Sequence, residues 1–333
     1  MKKFISLVIV LGLILTLFAS CKTQDTDELV KISLSEVAHS VFYAPQYAAM
    51  ELGFFEEEGI ELELINGQGA DKVMTSVVSG QVQIGLAGPE ASIYVYNEGR
   101  EDHAVVFAQL TQRDGAFLVG RTKEENFAWE NVKGKYIIGG RKGGVPEMTL
   151  EYVLNKNGIV PNKDVTVDTS VQFALMAGAF TGGTGDYVAL FEPTASMLEK
   201  EGKGYVLCSI GEQSGEIPYT AYFANKSYIE ENSDIIEKFT RAIYKGQKWV
   251  EENEASEIAK AIVNHFPDTS LEILTMVAQR YKDIDAWSTT PVMKKEAFDL
   301  LQTVMEQAGE LSKRAPFENI VDNSFAQKAV DNK

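Results

Sequence analysis

Short apolar segments alternate with short helical segments over residues 31–110, and this alternation constrains the fold more than any other feature. Proline and glycine mark the helix limits, with Pro45 in a first turn and Gly80 and Gly99 after helix ends. Apolar and acidic residues alternate with a period of two over residues 60–65, as in a half-buried strand. Strands separated by helices predict an α/β sheet with crossover connections. The predicted strands are residues 31–36, 60–65, 82–87 and 104–110.

The same alternation begins again after residue 118 and predicts a second α/β unit. Its strands are predicted at residues 135–138, 165–168, 187–191 and 205–209, with a helix at 146–157 and a returning strand at 219–224. Beyond Ser227 the chain is predicted to be helical, because apolar residues recur at spacings of three and four over residues 234–252, 271–282 and 292–307. A chain of 333 residues is long enough for two lobes, which suggests a cleft between them.

The first 21 residues have the features of a secretion signal. Two lysines precede an apolar run at residues 4–18, and small residues come directly before Cys21. The run is shorter than the roughly 20 residues of a spanning helix, although an uncleaved anchor helix is the alternative. Residues 17–21 resemble the lipobox of bacterial lipoproteins, with Phe18 in place of the usual aliphatic residue. We therefore expect a signal peptide at 1–20, a lipid-anchored tether at 21–27, lipidation of Cys21, and an extracytoplasmic protein held to the cell membrane by lipid alone.

Charge and cysteine content exclude several classes of partner. The chain has 31 basic and 48 acidic residues, a net charge of −17, which argues against binding to a nucleic-acid backbone. With Cys21 and Cys208 as the only cysteines, neither a thiol zinc cage nor a disulfide framework can form, and Cys208 is predicted to be a buried strand residue. The three histidines lie far apart without helical metal-ligand spacing. We predict no metal site and no cofactor.

Residues 39–60, HSVFYAPQYAAMELGFFEEEGI, resemble the solute-binding proteins of nitrate, sulfonate and taurine ABC importers and the thiamine-pyrimidine binders of the same superfamily. Those proteins have a loop after the first strand, then a helix containing Ala-x-x-x-Gly-Phe/Tyr-Phe, then Glu-x-x-Gly before the second strand. Residues 79–85, SGQVQIG, and 191–193, FEP, are similar to two further motifs of the superfamily, although Gln83 stands where aspartate is usual. The resemblance covers about residues 30–300.

The resemblance implies a type II periplasmic-binding-protein fold of two lobes, each a doubly wound α/β sheet, with a helical C-terminal extension. Lobe 1 would contain residues 28–118 and 222–333, and lobe 2 residues 119–221, with crossing segments at 117–121 and 219–224. A ligand would then close the lobes about a hinge. The implied partners are a small-molecule ligand, an ABC permease and its ATPase, and the implied state is a monomer.

Ligands of open α/β sheets bind at the carboxyl ends of strands and at the N-termini of the helices that follow. Phe42 and Tyr43 could stack on a planar ring, whereas Phe180 and Tyr187 are predicted to pack in the core. Glu192 could accept hydrogen bonds from an amine. No catalytic residue is predicted. The candidate ligand-binding residues are His39, Phe42, Tyr43, Gln46, Gln68, Gly69, Gly88, Glu90, Gln109, Arg113, Arg141, Gly143, Gly144, Thr181, Glu192 and Tyr219.

Two glycine-containing loops leave alternatives open. Residues 66–69 resemble the start of a dinucleotide fingerprint, but Lys72 occupies the position of the third glycine, so free amides for a small ligand or a tight turn are the alternatives. Residues 139–144 follow a strand and precede a helix that starts with proline, without the spacing of a phosphate loop. Arg141 could clamp an anion or pair with a surface acid.

The leading hypothesis is a binding protein that captures a small organic solute and delivers it to an ABC permease. A planar nitrogen heterocycle of the thiamine-pyrimidine kind is the expected ligand, with sulfonates, taurine or nitrate as the alternative. The superfamily is also similar to fungal pyrimidine synthases that use their own histidine with pyridoxal phosphate and iron. This chain lacks their cysteine-rich motif, although His39 and Lys72 make an enzyme testable. A ligand sensor is the third hypothesis.

Overall fold

The computed structural model describes residues 29–332, and its strands form two five-stranded sheets. The strands of the first sheet are β1 (Val30–Glu36), β2 (Ile60–Asn66), β3 (Ile84–Ala87), β4 (Ala104–Thr111) and β10 (Thr220–Asn225). Strand β1 lies parallel to β2 and β3, and β10 pairs antiparallel with β3 and β4. The strand order is therefore β2-β1-β3-β10-β4.

The second sheet has the same mixed pattern. Its strands are β5 (Ala116–Gly120), β6 (Tyr136–Ile138), β7 (Thr166–Asp168), β8 (Tyr187–Phe191) and β9 (Tyr205–Ser209). The order is β7-β6-β8-β5-β9, in which β6 is parallel to β7 and β8 while β5 is antiparallel to β8 and β9. The antiparallel strand of each sheet is the first strand after the chain changes lobe. This strand is β5 in the second sheet and β10 in the first.

Two short segments, residues 112–115 and 215–219, connect the sheets, and we call them the outgoing and returning hinge segments. The predicted lobe boundaries fall a few residues later, inside β5 and inside β10. Backbone pairing accounts for the difference, because Phe117 pairs with Leu190 and Ser209 of the second sheet while Ala221 pairs with Ala87 of the first. The predicted signal peptide and tether, including Cys21, lie outside the described residues. Between residues 29 and 332, no helix combines the length and apolar character needed to cross a membrane.

Helices cover both sheets, within a few residues of the predicted positions. Lobe 1 contains α1 (Ala44–Glu51), α2 (Phe54–Glu57), α3 (Ala70–Val78) and α4 (Glu90–Asn97), and lobe 2 contains α5 (Val145–Lys156), α6 (Met176–Thr181), α7 (Thr194–Lys200) and α8 (Ile210–Ser214). Pro45 and Pro146 lie in the first turns of α1 and α5, where a missing amide hydrogen costs nothing. Short 3-10 helices lie at Val41–Tyr43, Trp129–Val132, Phe173–Leu175 and Val263–His265.

The C-terminal extension packs mainly on lobe 1 and also touches lobe 2. Its helices are α9 (Lys226–Glu231), α10 (Ser233–Glu252), α11 (Ala255–Ile262), α12 (Leu271–Asp283), α13 (Lys295–Gln307), α14 (Phe317–Ile320) and α15 (Ser324–Asp331). Helix α10 packs on α1 and β4, whereas α12 also contacts α7 and α13 also contacts α5. Helix α13 begins three residues later than predicted, because Pro291 accepts a hydrogen bond from Gln109 and Met293 donates one to Asn323.

The apolar core follows this division. One buried cluster joins the first sheet to the C-terminal helices, and two smaller clusters lie on opposite faces of the second sheet. Phe180 and Tyr187 belong to those smaller clusters, as predicted. Cys208 lies on β9 and is only partly buried, in contrast to the prediction, and burial raises the pKa of its thiol to about 12. A thiol that remains protonated at neutral pH is a poor nucleophile.

Candidate functional site

A cavity of about 780 Å³, its open mouth included, lies between the two lobes. Lobe 1 contributes Val37, Ala38, Ser40, Tyr43, Gly69, Ala70, Gly88 and Glu90, together with Tyr219 and Thr220 at the returning hinge. Lobe 2 contributes Gly139, Gly140, Arg141, Gly144, Val145, Pro146, Phe173, Met176, Ala189 and Phe191.

The topology explains why these residues meet. The carboxyl ends of β1, β3, β6 and β8 lead into the cavity, and α3, α4 and α5 start at its wall. Gly88 allows the two lobes to approach closely here, because a Cβ at this position would overlap the Glu90 carboxylate and would lie 2.8 Å from Val145 Cγ2. Helix N-termini carry free amides and partial positive charge, so the cavity offers donors from both lobes.

Glu90 is the acidic side chain in the cavity wall. The residue is 2% exposed, and its Oε2 atom has no hydrogen-bond partner among residues 29–332. Burial raises the pKa of this carboxyl to about 7, and Arg141 on the opposite lobe works against that rise. A buried acceptor without a partner is unfavourable, so a ligand that donates a hydrogen bond here would remove a penalty as well as add a contact.

Aromatic side chains form one wall of the cavity. Tyr219 and Phe191 lie with ring centroids 6.0 Å apart, and Phe173 lies 5.4 Å from Phe191. Phe42 packs behind this wall, 5.6 Å from Tyr219 in an edge-on arrangement. The Tyr219 hydroxyl is buried and has no hydrogen-bond partner in the described part of the chain. A planar ring could therefore stack on this wall with a polar group near the Tyr219 hydroxyl.

Arg141 lies at the mouth of the cavity. Its side chain is 47% exposed, and its Nε atom lies 3.7 Å from Asp71 of lobe 1. Other contacts join the lobes nearby, from Ser40 Oγ to the Glu192 carbonyl at 2.6 Å and from the Tyr94 hydroxyl to the Gly143 carbonyl at 3.0 Å. The lobes are thus in contact around the cavity.

The structure brings together seven of the predicted ligand-binding residues in the cavity wall: Tyr43, Gly69, Gly88, Glu90, Arg141, Gly144 and Tyr219. Two others lie beside it. Gln68 is exposed next to Arg141 in a depression at the mouth. The Gly143 amide donates to the Glu147 carboxylate. Burial raises the pKa of Glu147 to about 8.

The remaining predicted residues have partners elsewhere. His39 contacts Glu36 through Nδ1 at 2.8 Å and the His265 carbonyl through Nε2 at 2.8 Å. The Glu36 contact is the main reason that the pKa of His39 is raised. Gln46, in α1, also donates to Glu36, so the side chains of His39 and Gln46 are engaged within lobe 1 and the C-terminal extension. Phe42 and Gln109 are buried, Arg113 lies 3.8 Å from Asp285, and Thr181 bonds to its own helix.

Glu192 is also engaged outside the cavity. Its Oε1 atom accepts from Arg280 at 2.8 Å and from Ser196 Oγ at 2.7 Å, and its Oε2 atom accepts from the Ser196 amide at 2.8 Å. Both carboxylate oxygens therefore have protein donors, and Glu90 is the acidic residue that lines the cavity.

Some cavity residues were not predicted. Phe191 is the last residue of β8, so it satisfies the strand-end rule, but in the sequence it stands out only as part of the FEP motif. Phe173 and Met176 lie on two adjoining short helices of lobe 2 that line the cavity, and the local sequence carries no signal for that position. Within residues 29–332, no three histidine, cysteine or acidic side chains are grouped so that they could hold a metal ion.

Comparison with known proteins gives the family and the fold. Residues 41–256 match the model of the family described as NMT1/THI5 like. The "Putative binding protein YtlA" of Bacillus subtilis (strain 168) is 46% identical over 315 residues, which cover 95% of this chain and 94% of that protein. Because the match extends over nearly all of both proteins, it includes both lobes and the C-terminal extension.

Solved structures share the fold at low sequence identity. The alkanesulfonate-binding protein SsuA from Xanthomonas axonopodis pv. citri, bound to MOPS, is 16% identical with a TM-score of 0.72, covering 89% of this chain and 99% of that one. The nitrate-binding protein NrtA from Synechocystis PCC 6803 is 16% identical with a TM-score of 0.71, covering 92% and 89%. The desulfurization enzyme DSZB has a TM-score of 0.63 at 11% identity, covering 91% and 99%. The predicted type II periplasmic-binding-protein fold is confirmed, and DSZB illustrates that this fold alone does not define function.

Proposed function

Because this chain belongs to the NMT1/THI5-like family and has the fold of periplasmic binding proteins, we propose that it is the extracytoplasmic substrate-binding component of an ABC importer. In this role it captures a small organic solute between its lobes and delivers it to a permease and its ATPase. The observation that carries the proposal is the cavity, which both lobes line; its wall includes Glu90 and Tyr219, each with a buried oxygen atom that has no hydrogen-bond partner among the described residues. The relative that is 46% identical is named as a binding protein. Acylation at Cys21 would hold the monomer at the membrane.

We further propose that the ligand is a planar nitrogen heterocycle, such as a pyrimidine precursor of thiamine. The support is the combination of an aromatic wall at Phe191 and Tyr219 with a buried acceptor at Glu90. A ring amine can donate to that carboxylate while the ring stacks on the wall.

Sulfonate, taurine or nitrate is the second candidate, because two structural neighbours are named for alkanesulfonate and nitrate binding. Arg141 and the N-terminus of α5 could hold an anion. Two observations favour the heterocycle: Arg141 is half exposed and already lies near Asp71, and an ionised Glu90 would repel an anion in the same cavity.

The first test is the melting temperature of residues 28–333 in the presence of aminopyrimidines, alkanesulfonates, taurine and nitrate in turn. A ligand at 100 times its dissociation constant stabilises the folded protein by about 2.7 kcal/mol. A rise with aminopyrimidines alone supports the proposed ligand, and a rise with sulfonates or nitrate alone replaces it with the anion. No rise with any small solute, despite a folded protein, would contradict solute capture by this cavity.

Substitution Glu90→Gln is expected to weaken aminopyrimidine binding by roughly tenfold to a hundredfold, because hydrogen bonds to charged groups contribute about 1.5–3 kcal/mol. Since the pKa of Glu90 is raised to about 7, binding of a donor ligand to the native protein should strengthen as the pH rises through 7. Titration calorimetry from pH 6 to pH 8 measures both effects. Glu98→Gln, at the exposed end of the same helix, is the matched control. Unchanged affinity of the Glu90 variant would exclude this carboxylate as the anchor.

A further inference from the structure

Each of the two hinge segments contains a buried oxygen atom that has no hydrogen-bond partner among residues 29–332. Asp114, in the outgoing segment, is completely buried, and its Oδ1 atom accepts from the Ala116 amide at 2.7 Å. Its Oδ2 atom, like the Tyr219 hydroxyl in the returning segment, has no hydrogen-bond partner among the described residues. Tyr219 lines the ligand cavity, whereas Asp114 does not. Asp114 is therefore a polar group beside the cavity wall that the binding geometry described above does not use.

Asp114 and Tyr219 influence each other. Burial raises the pKa of Asp114 to about 8. The Ala116 amide and the Tyr219 side chain act in the other direction and lower that pKa. Burial also raises the pKa of Tyr219, and the next causes are Asp114, then Tyr43 and Glu90. The phenol of Tyr281 is a further titratable group in this neighbourhood, since Asp114 helps to raise its pKa. No cation is among the groups that shift the pKa of Asp114, so the neutral carboxyl persists at neutral pH.

The backbone around this pair is held firmly. The backbone amide of Tyr219 donates to the Thr111 carbonyl at 3.2 Å, and the backbone amide of Ile217 donates to the Gln112 carbonyl at 3.0 Å. Gly211 packs so closely on the Asp114 backbone that a Cβ at Gly211 would overlap the Asp114 carbonyl. Backbone hydrogen bonds therefore join the two hinge segments beside this pair, so a hydrogen bond between the two oxygen atoms depends on how the two side chains rotate.

We infer that Asp114 is a positioning residue that sets whether the Tyr219 hydroxyl donates or accepts a hydrogen bond inside the cavity. A neutral Asp114 carboxyl donates its proton to the Tyr219 oxygen, which leaves the phenol hydrogen free to point at the ligand. An ionised Asp114 instead accepts the phenol hydrogen, and Tyr219 then offers only lone pairs to the ligand. The inference deepens the proposed function and rests on it: the preferred ligand presents an acceptor to Tyr219 and a donor to Glu90, as the adjacent ring nitrogen and amine of an aminopyrimidine do.

The binding test is titration calorimetry of an aminopyrimidine from pH 6 to pH 9. For the native protein we expect affinity to rise through about pH 7, where Glu90 ionises, and to fall above about pH 8, where Asp114 ionises. The fall should be roughly twofold to tenfold, the value of one hydrogen bond. Asp114→Asn should keep the rise and lose the fall, because its amide donates to Tyr219 at every pH. Tyr219→Phe should bind more weakly at pH 7 and should also lose the fall. A fall that persists in Asp114→Asn would overturn the inference.

A ligand-free test separates this inference from the proposed ligand. Because the folded pKa of Asp114 lies above its ordinary value, its contribution to stability is lost as the pH rises towards about 8. The melting temperature should therefore fall less between pH 6 and pH 9 in Asp114→Asn than in the native protein, with Glu90 and Glu147 causing the part that remains. Asp114→Asn and Tyr219→Phe should be non-additive in a double-mutant cycle, and Asp285→Asn, an exposed neighbour, should change nothing.

The two tests fail in different ways. If no aminopyrimidine binds but the cycle is non-additive, the proposed ligand is wrong and the Asp114–Tyr219 contact stands. If an aminopyrimidine binds and the cycle is additive, solute capture stands and Asp114 is not the positioning residue.

Discussion

Replacement of Arg280 by alanine is expected to lower the free energy of unfolding by about 3–5 kcal/mol, because it leaves a buried carboxylate without its partner. The partner is Glu192, whose side chain is 0% exposed and whose Oε1 atom lies 2.8 Å from Arg280. Arg280 also contacts Glu199 at 2.8 Å and donates to Ser196. Arg280 thus bonds helix α12 to α7 of lobe 2, and the loss of these bonds affects both lobes. Denaturant unfolding of the native and variant proteins measures the change.

A surface pair provides the matched control for this prediction. Arg314 lies 2.6 Å from Glu306, but the two side chains are 42% and 40% exposed. Exposed pairs contribute about 0–1 kcal/mol, so Arg314→Ala should change stability within that range. A second variant, Arg280→Met combined with Glu192→Gln, removes both charges and should recover much of the loss. If Arg280→Ala costs no more than Arg314→Ala, the buried charge of Glu192 does not depend on Arg280.

The fold was predictable because its signal is local. In β2, Ile60 is fully buried and Leu62 and Leu64 are partly buried, while Glu61 and Glu63 are exposed, as the alternation of the sequence indicates. Helix limits followed from proline and glycine for the same reason. The apolar runs at residues 116–119 and 221–224 indicate strands but do not indicate which sheet each strand joins, so the predicted lobe boundaries fall inside β5 and β10.

The candidate site was predictable only in part, because the strand-end rule selects positions and not partners. Glu90 and Glu192 both follow a strand and lie near a helix start, so the local sequence does not distinguish them. Arg280 lies 88 residues from Glu192 along the chain and binds it only in the fold. His39 is similar, since its partners include His265, which is 226 residues away. Long-range pairing of this kind decides which strand-end residues remain available to a ligand.

Gly246→Ala is expected to destabilise the protein by about 1–3 kcal/mol or more, although alanine is the better helix former. Gly246 lies in the middle of α10, where that helix crosses α1. A Cβ at this position would overlap the Pro45 carbonyl and would lie 2.9 Å from Ala49 Cβ, so the two backbones would have to separate. The carbonyl belongs to a helix backbone and cannot move aside as a flexible side chain would.

Gly178→Ala is the matched comparison, because Gly178 is also helical but a Cβ there would meet no atom within 4 Å. With no steric cost, helix propensity should decide the result, and the substitution should stabilise the protein by up to about 1 kcal/mol. Denaturant unfolding at neutral pH should therefore show changes of opposite sign for the two variants. A stabilised Gly246→Ala protein would mean that α1 and α10 can separate without loss, and that close packing of these helices does not hold the C-terminal extension on lobe 1.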